Sequence, residues 1–273
     1  MNKLKIGIVG CGAIGSSLAK FVKKDLQGRA ALSGLYDIDG AKSAKLSKSL
    51  SLNEGLAAGS LKHLVLKSQL IIECASSQAC RGIAEVVLRS GRDIMIMSAG
   101  GVSGCLPGLS RLAKSHNARV YIPSGAISGV DALKAAALGK IKKVTLTTYK
   151  NPLSFSGVKF IKERGIDLSK IKKDKVLFCG PAACAVKYFP QNINVAAVLS
   201  MAGIGPGKTL VKIIASPAVK KNIHEVRVES VAADITARTE NILHPENPKT
   251  SYLAVLSAEA VLKQILEPVR IGT

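Results

Sequence analysis

Along the first half of the chain, short runs of consecutive apolar residues alternate with stretches in which apolar positions recur every three or four residues. Leu4–Val9 is one such run, and Ser16–Lys24 carries Leu18, Phe21 and Val22 at helical spacing. Ala30–Tyr36, Leu70–Ala75, Asp93–Ser98 and Arg119–Pro123 repeat the strand pattern. Helices are predicted over Gln78–Ser90 and Leu106–Ser115, and Lys42, Lys45 and Lys48 mark the polar side of helical stretches after Tyr36. Strands that are apolar along their whole length are buried on both faces, which predicts a parallel, doubly wound α/β sheet flanked by helices.

Beyond Gly129 the pattern changes. Val144–Tyr149, Thr209–Ala215, Ile223–Val231 and Asp234–Arg238 read as strands, and Val226 and Val228 alternate with Arg227 and Glu229 as in a sheet with one wet face. Ala182–Tyr188 and Ile193–Met201 read as helices. A last helix, Ser251–Ile265, carries Leu253, Leu256, Ala260, Leu262 and Ile265 at helical spacing and is expected to return to the first domain. The chain thus divides into a first domain, 1–127 with 247–273 returning to it, and an α+β substrate and dimerisation domain, 128–246. A homodimer formed through the second sheet is expected.

Between the first strand and the first helix stands Gly10-Cys11-Gly12-Ala13-Ile14-Gly15. In a Rossmann-type fold such glycines permit the tight turn, the approach of backbone to a pyrophosphate and the close packing of helix on strand. The helix N-terminus then offers free N–H groups to phosphate. Asp37 lies 22 residues beyond Gly15 at the end of the second strand, where a carboxylate binds a ribose hydroxyl. Gly10, Gly12, Ala13, Ile14, Gly15 and Asp37, with Ala75 and Ser76 after the third strand, form the expected cofactor set. Asp37 favours NAD by repelling a 2′-phosphate, while the nearby Lys42 keeps NADP open.

The charge is the outlier of the composition: among 273 residues, 39 Lys and Arg stand against 18 Asp and Glu, a net +21. That raises polyanions as partners, but the excess is spread, with 17 basic and 7 acidic residues in 1–127 and 19 and 9 in 128–246. The densest stretch, from Lys159 to Lys175, is interrupted by Glu163, Asp167 and Asp174 and holds one aromatic, Phe160. Strand binders interleave basic residues with stacking aromatics, so a solvated face is expected here and no nucleic acid. The apolar stretch before Cys11, Ile6–Gly10, is shorter than the roughly 7–15 residues of a signal h-region. The longest uncharged runs, Ile94–Ser110 and Tyr188–Gly207, contain Pro and Gly, so no membrane span is expected. Six cysteines without a CxxC pair suit reduced thiols in a cytoplasmic protein, and no structural metal is expected.

A dehydrogenase needs a group that takes a proton, and His is best tuned for it near neutral pH. His63 and His116 sit in Lys-flanked connections and read as surface residues. His224 shares a strand face with Val226 and Val228, where a satisfied core role competes with catalysis. His244 stands in a turn-rich polar loop, and from the residues alone it competes closely with His224.

The set GCGAIG, SGAISGVDA (124–132), FPQNINVAA (189–197), NIHEV (222–226) and ENPKTSYLA (246–254) resembles the L-aspartate dehydrogenase family, in order and over essentially the whole chain. The His-His-x-x-x-Lys signature of dihydrodipicolinate reductases is not found, and homoserine dehydrogenases are a more distant resemblance. The resemblance implies that His224 is the active-site histidine and that Ala126 and Asn194 contact the nicotinamide cofactor. It implies oxidative deamination of L-aspartate, through iminoaspartate, to oxaloacetate and ammonia, with a role in nicotinamide-cofactor biosynthesis. Chemistry and location add Lys249, Thr250 and Ser251 as candidates for the substrate carboxylates. A positive surface suits capture of an anionic cofactor and a dicarboxylate. The alternatives are a dehydrogenase or reductase acting on another small dicarboxylate or amino acid, and a dinucleotide-sensing regulator that binds nucleic acid.

Overall fold

The computed structural model describes residues 3–51, 56–189, 193–245 and 247–272, with 193 and 247–249 described in backbone only. The chain divides into two compact units, Met1–Pro123 with Val255–Arg270, and Ser124–Ala254 with Ile271–Thr273.

The first unit runs β1 (Leu4–Val9), α1 (Ala13–Lys24), β2 (Ala30–Tyr36), α2 (Gly40–Ser49), α3 (Leu61–Lys67), β3 (Leu70–Glu73), α4 (Ser77–Arg89), β4 (Asp93–Ile96), α5 (Leu106–Ser115) and β5 (Val120–Tyr121). Its five strands lie in the order β2-β1-β3-β4-β5, all parallel. Ile6, Ile8, Ile71, Ile72, Ile94 and Met95 are fully buried, which is why these strands read as unbroken apolar runs. The doubly wound sheet expected from the sequence is therefore present.

Local differences have local causes. The third strand stops at Glu73 rather than Ala75, because the Glu73 side chain accepts from the Ala75 N–H and turns the chain out of the sheet. The fifth is an edge strand of two residues, paired with β4 only at Ile94 and Met95. His63 lies on the short helix α3, which Ser60 caps by accepting from the His63 N–H at 3.2 Å.

The second unit runs α6 (Val130–Ala136), β6 (Ile141–Lys150), α7 (Lys159–Glu163), β7 (Lys175–Pro181), α8 (Ala182–Tyr188), α9 (Ile193–Ala202), β8 (Leu210–Ala215), β9 (Asn222–Ser230), β10 (Asp234–Asn241), β11 (Leu243–His244) and β12 (Asn247–Ser251). The sheet order is β10-β9-β6-β8-β7, with β6 and β8 parallel and the other neighbours antiparallel. One face carries Val144, Leu146, Val211, Ile213, Val226 and Val228 into a core shared with the largely buried α9. The other carries Arg227, Glu229, Arg238 and Glu240.

The basic stretch Lys159–Lys175, expected as a solvated face, holds the short helix α7 and ends where β7 begins. Its lysines are exposed, yet Phe160, Ile161 and Ile171 are buried and anchor the segment. Phe160 packs among Phe178, Tyr188 and Phe189, with ring centroids 6.1, 4.9 and 5.1 Å away. The one aromatic of the stretch is therefore a core residue.

The chain leaves β12 into α10 (Tyr252–Leu266), whose Val255, Ala258 and Leu262 join the first unit's core beside Ile6, Ile8 and Leu18. The division falls at 123/124 and 254/255, where the pattern put it at 127/128 and 246/247. Ala126 and Ile127 belong to the second core, and β12 pairs with β11 inside the second unit.

Candidate active site

In the first unit, β1 delivers the chain into a turn that only glycine fits. Gly10 has φ +92°, and a Cβ there would stand 2.4 Å from the Cys74 carbonyl oxygen. A Cβ at Gly15 would stand 1.9 Å from the Gly10 carbonyl oxygen, so α1 packs against the turn with no room for a side chain. A Cβ at Gly12, by contrast, would meet nothing within 4 Å. Gly12 is the N-cap of α1 and contributes no side-chain cap, and the first turn holds no acid. The helix thus presents free N–H groups to open space, the arrangement that receives a pyrophosphate.

Asp37 is held at the far side of this turn. Its Oδ2 accepts from the Cys11 N–H at 2.7 Å and its Oδ1 from the Asp39 N–H at 3.0 Å. Each oxygen keeps a lone pair for a ribose hydroxyl. Burial, then the neighbouring Asp37, pushes the Cys11 thiol up to about 12, so it stays protonated. Gly10, Gly12, Asp37, Lys42, Ala75 and Ser76 line one cleft of about 490 Å³. Lys42 lies 3.7 Å from Asp39, which shares its charge. These residues fit a nicotinamide dinucleotide.

Glu73 supports the cleft and was read from the sequence only as part of an apolar strand. It is fully buried; one oxygen accepts from the Ala75 N–H at 2.8 Å, the other from the Ser98 N–H at 3.0 Å and the Cys80 thiol at 3.3 Å. Burial raises its carboxyl above the usual range, while the Ser98 hydrogen bond is the largest opposing influence. The loops after β3 and β4 are thereby joined through one side chain.

In the second unit the sheet register builds a polar cluster on the core-facing side. Thr148 of β6 and Thr239 of β10 lie directly opposite His224 of β9. The Thr148 hydroxyl is 3.0 Å from His224 Nδ1, and the Thr239 hydroxyl is 2.8 Å from that of Ser128. His224 is only 5% exposed. Burial first, and the Lys150 charge second, pulls its imidazole down to about 4. Asn241, buried at the end of β10, donates through Nδ2 to the Ala126 carbonyl at 3.0 Å and accepts from the Ser251 hydroxyl.

Of the residues singled out in the sequence, Gly10, Gly12, Asp37, Ala75 and Ser76 therefore meet in one cleft. Ala13, Ile14 and Gly15 form the first turn of α1 beside it. Ala126 and Ser251 are brought together by Asn241. Thr250 precedes Ser251 in β12, and Asn194 is exposed in the first turn of α9. The Lys249 side chain lies outside the described residues. His244 is buried and packs edge-on against Tyr252, with ring centroids 5.3 Å apart. Thr148, Asn241, Lys150 and Glu73 were missed, because their partners come from strand pairing and loop closure. Among the described residues no helix is long and apolar enough to cross a membrane, and no three His, Cys, Asp or Glu are grouped to hold a metal.

A Rossmann-type unit with an open phosphate cradle, joined to an α+β unit that buries an imidazole on its sheet, is the build of a two-domain NAD(P)-dependent oxidoreductase. The family "Homoserine dehydrogenase, NAD binding domain" matches residues 10–123, and "Aspartate dehydrogenase, C-terminal" matches residues 131–265. The chain is 45% identical to an L-aspartate dehydrogenase of Methanosarcina acetivorans and 43% identical to that of Methanosarcina barkeri, each match covering 99% of this chain and all of the relative. The solved aspartate dehydrogenase of Thermotoga maritima superposes with a TM-score of 0.72 at 26% identity, covering 99% of this chain and all of that one. The chain belongs to the L-aspartate dehydrogenase family.

Proposed function

We propose that this protein oxidises the amine of L-aspartate with NAD(P), giving iminoaspartate and, after hydrolysis, oxaloacetate and ammonia. The observation that carries the reading is the buried His224 held by Thr148 on a chain that also carries the glycine-turn cleft. Full-length similarity to L-aspartate dehydrogenases supports the choice of substrate. The both-sided engagement of Asp37, with Lys42 shared by Asp39, supports NAD as the preferred cofactor.

When bound, the nicotinamide supplies the hydride acceptor. His224 supplies the base. Depressed to about 4, it is neutral near pH 7 and free to accept a proton. Its base function requires the tautomer in which Nδ1–H donates to the Thr148 hydroxyl, leaving the Nε2 lone pair for the substrate amine or for the water that attacks the imine. Ala126 and Asn194 are the proposed cofactor contacts of the second unit. Thr250 and Ser251, with Lys249, are proposed near the substrate.

The outward face of the second sheet, with its exposed Val176 on β7, supports a homodimer formed there, which light scattering or gel filtration at micromolar concentration tests. Six free cysteines support a reducing cytoplasm as the compartment, and iminoaspartate as product supports a role in nicotinamide-cofactor synthesis. The central test is a His224→Ala variant assayed with L-aspartate and NAD. Turnover is expected to fall by roughly 10²–10⁴-fold with NADH affinity unchanged. Near-normal turnover removes His224 from the mechanism, and a wild type that reduces NAD with glutamate or homoserine but not aspartate removes the substrate.

A further inference from the structure

β6 carries a second ionisable group on the face that holds His224. Thr148 stands opposite His224, and Lys150 lies two residues further along the same strand, so both side chains leave the sheet on one side. Its backbone is fixed by β8: Lys150 pairs with Ala215, and its carbonyl accepts from the Ser216 N–H at 2.8 Å. The side chain is only partly exposed.

The groups around it leave that cation unmatched. From β8 this face receives Ala215 and Ile213, from β6 Thr148, from β9 His224, from β10 Thr239, and from β7 the exposed Lys175 opposite Ala215, a second cation. The acidic residues of these strands fall on the opposite face by alternation: Glu225 and Glu229 on β9, Asp234 and Glu240 on β10. There Arg238 lies 3.7 Å from Glu225 and 3.1 Å from Glu240, and Arg227 lies 3.7 Å from Glu229. Among the described residues no carboxylate pairs with Lys150. A cation drawn out of water without a counter-ion is unfavourable, and burial lowers the Lys150 ammonium to about 8. An anion arriving at the site removes that penalty.

We propose that Lys150 is the receptor for a carboxylate of the substrate, a small dicarboxylate amino acid, beside the base His224. The inference rests on the proposed aspartate chemistry and deepens it. A carboxylate seated on Lys150 also offsets the Lys150 charge, which after burial is the second influence holding the His224 imidazole down. Substrate binding and the proton affinity of the base are then linked: the part of the depression due to Lys150 is relieved when a substrate carboxylate is in place.

The test compares wild type, Lys150→Met and Lys150→Arg with L-aspartate at saturating NAD, with succinate as a non-reacting dicarboxylate probe. In Lys150→Met, KM for aspartate and Ki for succinate are expected to rise together by roughly 100-fold, with NADH Kd within twofold of wild type. Lys150→Arg is expected to lie between. The acid limb of kcat/KM in Lys150→Met should move to higher pH, which a purely structural lysine would not cause. A KM and Ki within twofold of wild type overturn the proposal. Should Lys150→Met fail to bind NADH, acylation of wild-type lysines read by mass spectrometry decides: succinate with NAD is expected to slow modification of Lys150 at least about tenfold, and no protection overturns the proposal. A wild type inert towards aspartate sinks the proposed function alone, since succinate protection of Lys150 still reports the anion site.

Discussion

Thr148 Oγ1 and His224 Nδ1 stand 3.0 Å apart across neighbouring strands, directly opposite in register although 76 residues separate them in the chain. The pairing makes a side-chain contact from two backbones that are themselves hydrogen-bonded into one sheet, so the ring has little freedom to turn. Thr148→Val removes the hydroxyl while keeping shape. It is expected to lower kcat by roughly tenfold, the worth of one hydrogen bond, with NADH affinity unchanged. Thr148→Ser should recover most of the loss, and a Val variant as active as wild type would show that the tautomer is set elsewhere.

Asn241 links the 124–129 segment to the end of β12 through one amide. Asn241→Leu leaves the Ala126 carbonyl and the Ser251 hydroxyl without that partner inside the fold. A loss of about 2 kcal/mol is expected, which for a chain of this size is roughly 4–8 °C in Tm. Calorimetry of the apo protein measures it, and an unchanged Tm would mean that the two groups find other partners.

Asp37 faces the dinucleotide cleft with Lys42 beside it. Asp37→Ser removes a charge that opposes a 2′-phosphate and leaves the lysine to receive one. The ratio of kcat/KM for NAD over NADP should fall by roughly 10–100-fold. Steady-state rates with both cofactors at fixed aspartate provide the check; an unmoved ratio would assign discrimination to another part of the cleft.

His224 also ties stability to pH. Unfolded, the ring takes its proton near the ordinary 6.5; folded, it resists until about 4. Between those values the unfolded state binds more protons, so stability falls as pH drops from about 6.5 to 4, by a total on the order of 3 kcal/mol. Urea midpoints for wild type should decline over that window. Those of His224→Gln should decline less, and parallel curves would place the titration on another group.

The first unit was legible because its strands are buried on both faces, and burial of that kind writes unbroken apolar runs such as Leu4–Val9 into the sequence. β7 was hidden for the opposite reason. It is an edge strand with an irregular register, and of its residues Leu177 alone is counted among the buried core. The histidine itself showed in the alternation of NIHEV, but its surroundings did not. Thr148 and Lys150 look like ordinary strand residues until register sets them beside His224 and Ala215, and Asn241 until its amide reaches the Ala126 carbonyl. Glu73 looks like the last residue of an apolar strand until three donors converge on it. Motifs report what lies near in sequence, and these contacts join residues far apart in it.

The last helix gives the first unit a particular timetable. Val255, Ala258 and Leu262 fill positions in the core around Ile6, Ile8 and Leu18, so the core of the first unit is completed by residues made only after 124–254. Until then, throughout synthesis of the second unit, the nascent first unit exposes an apolar seat fitted to α10.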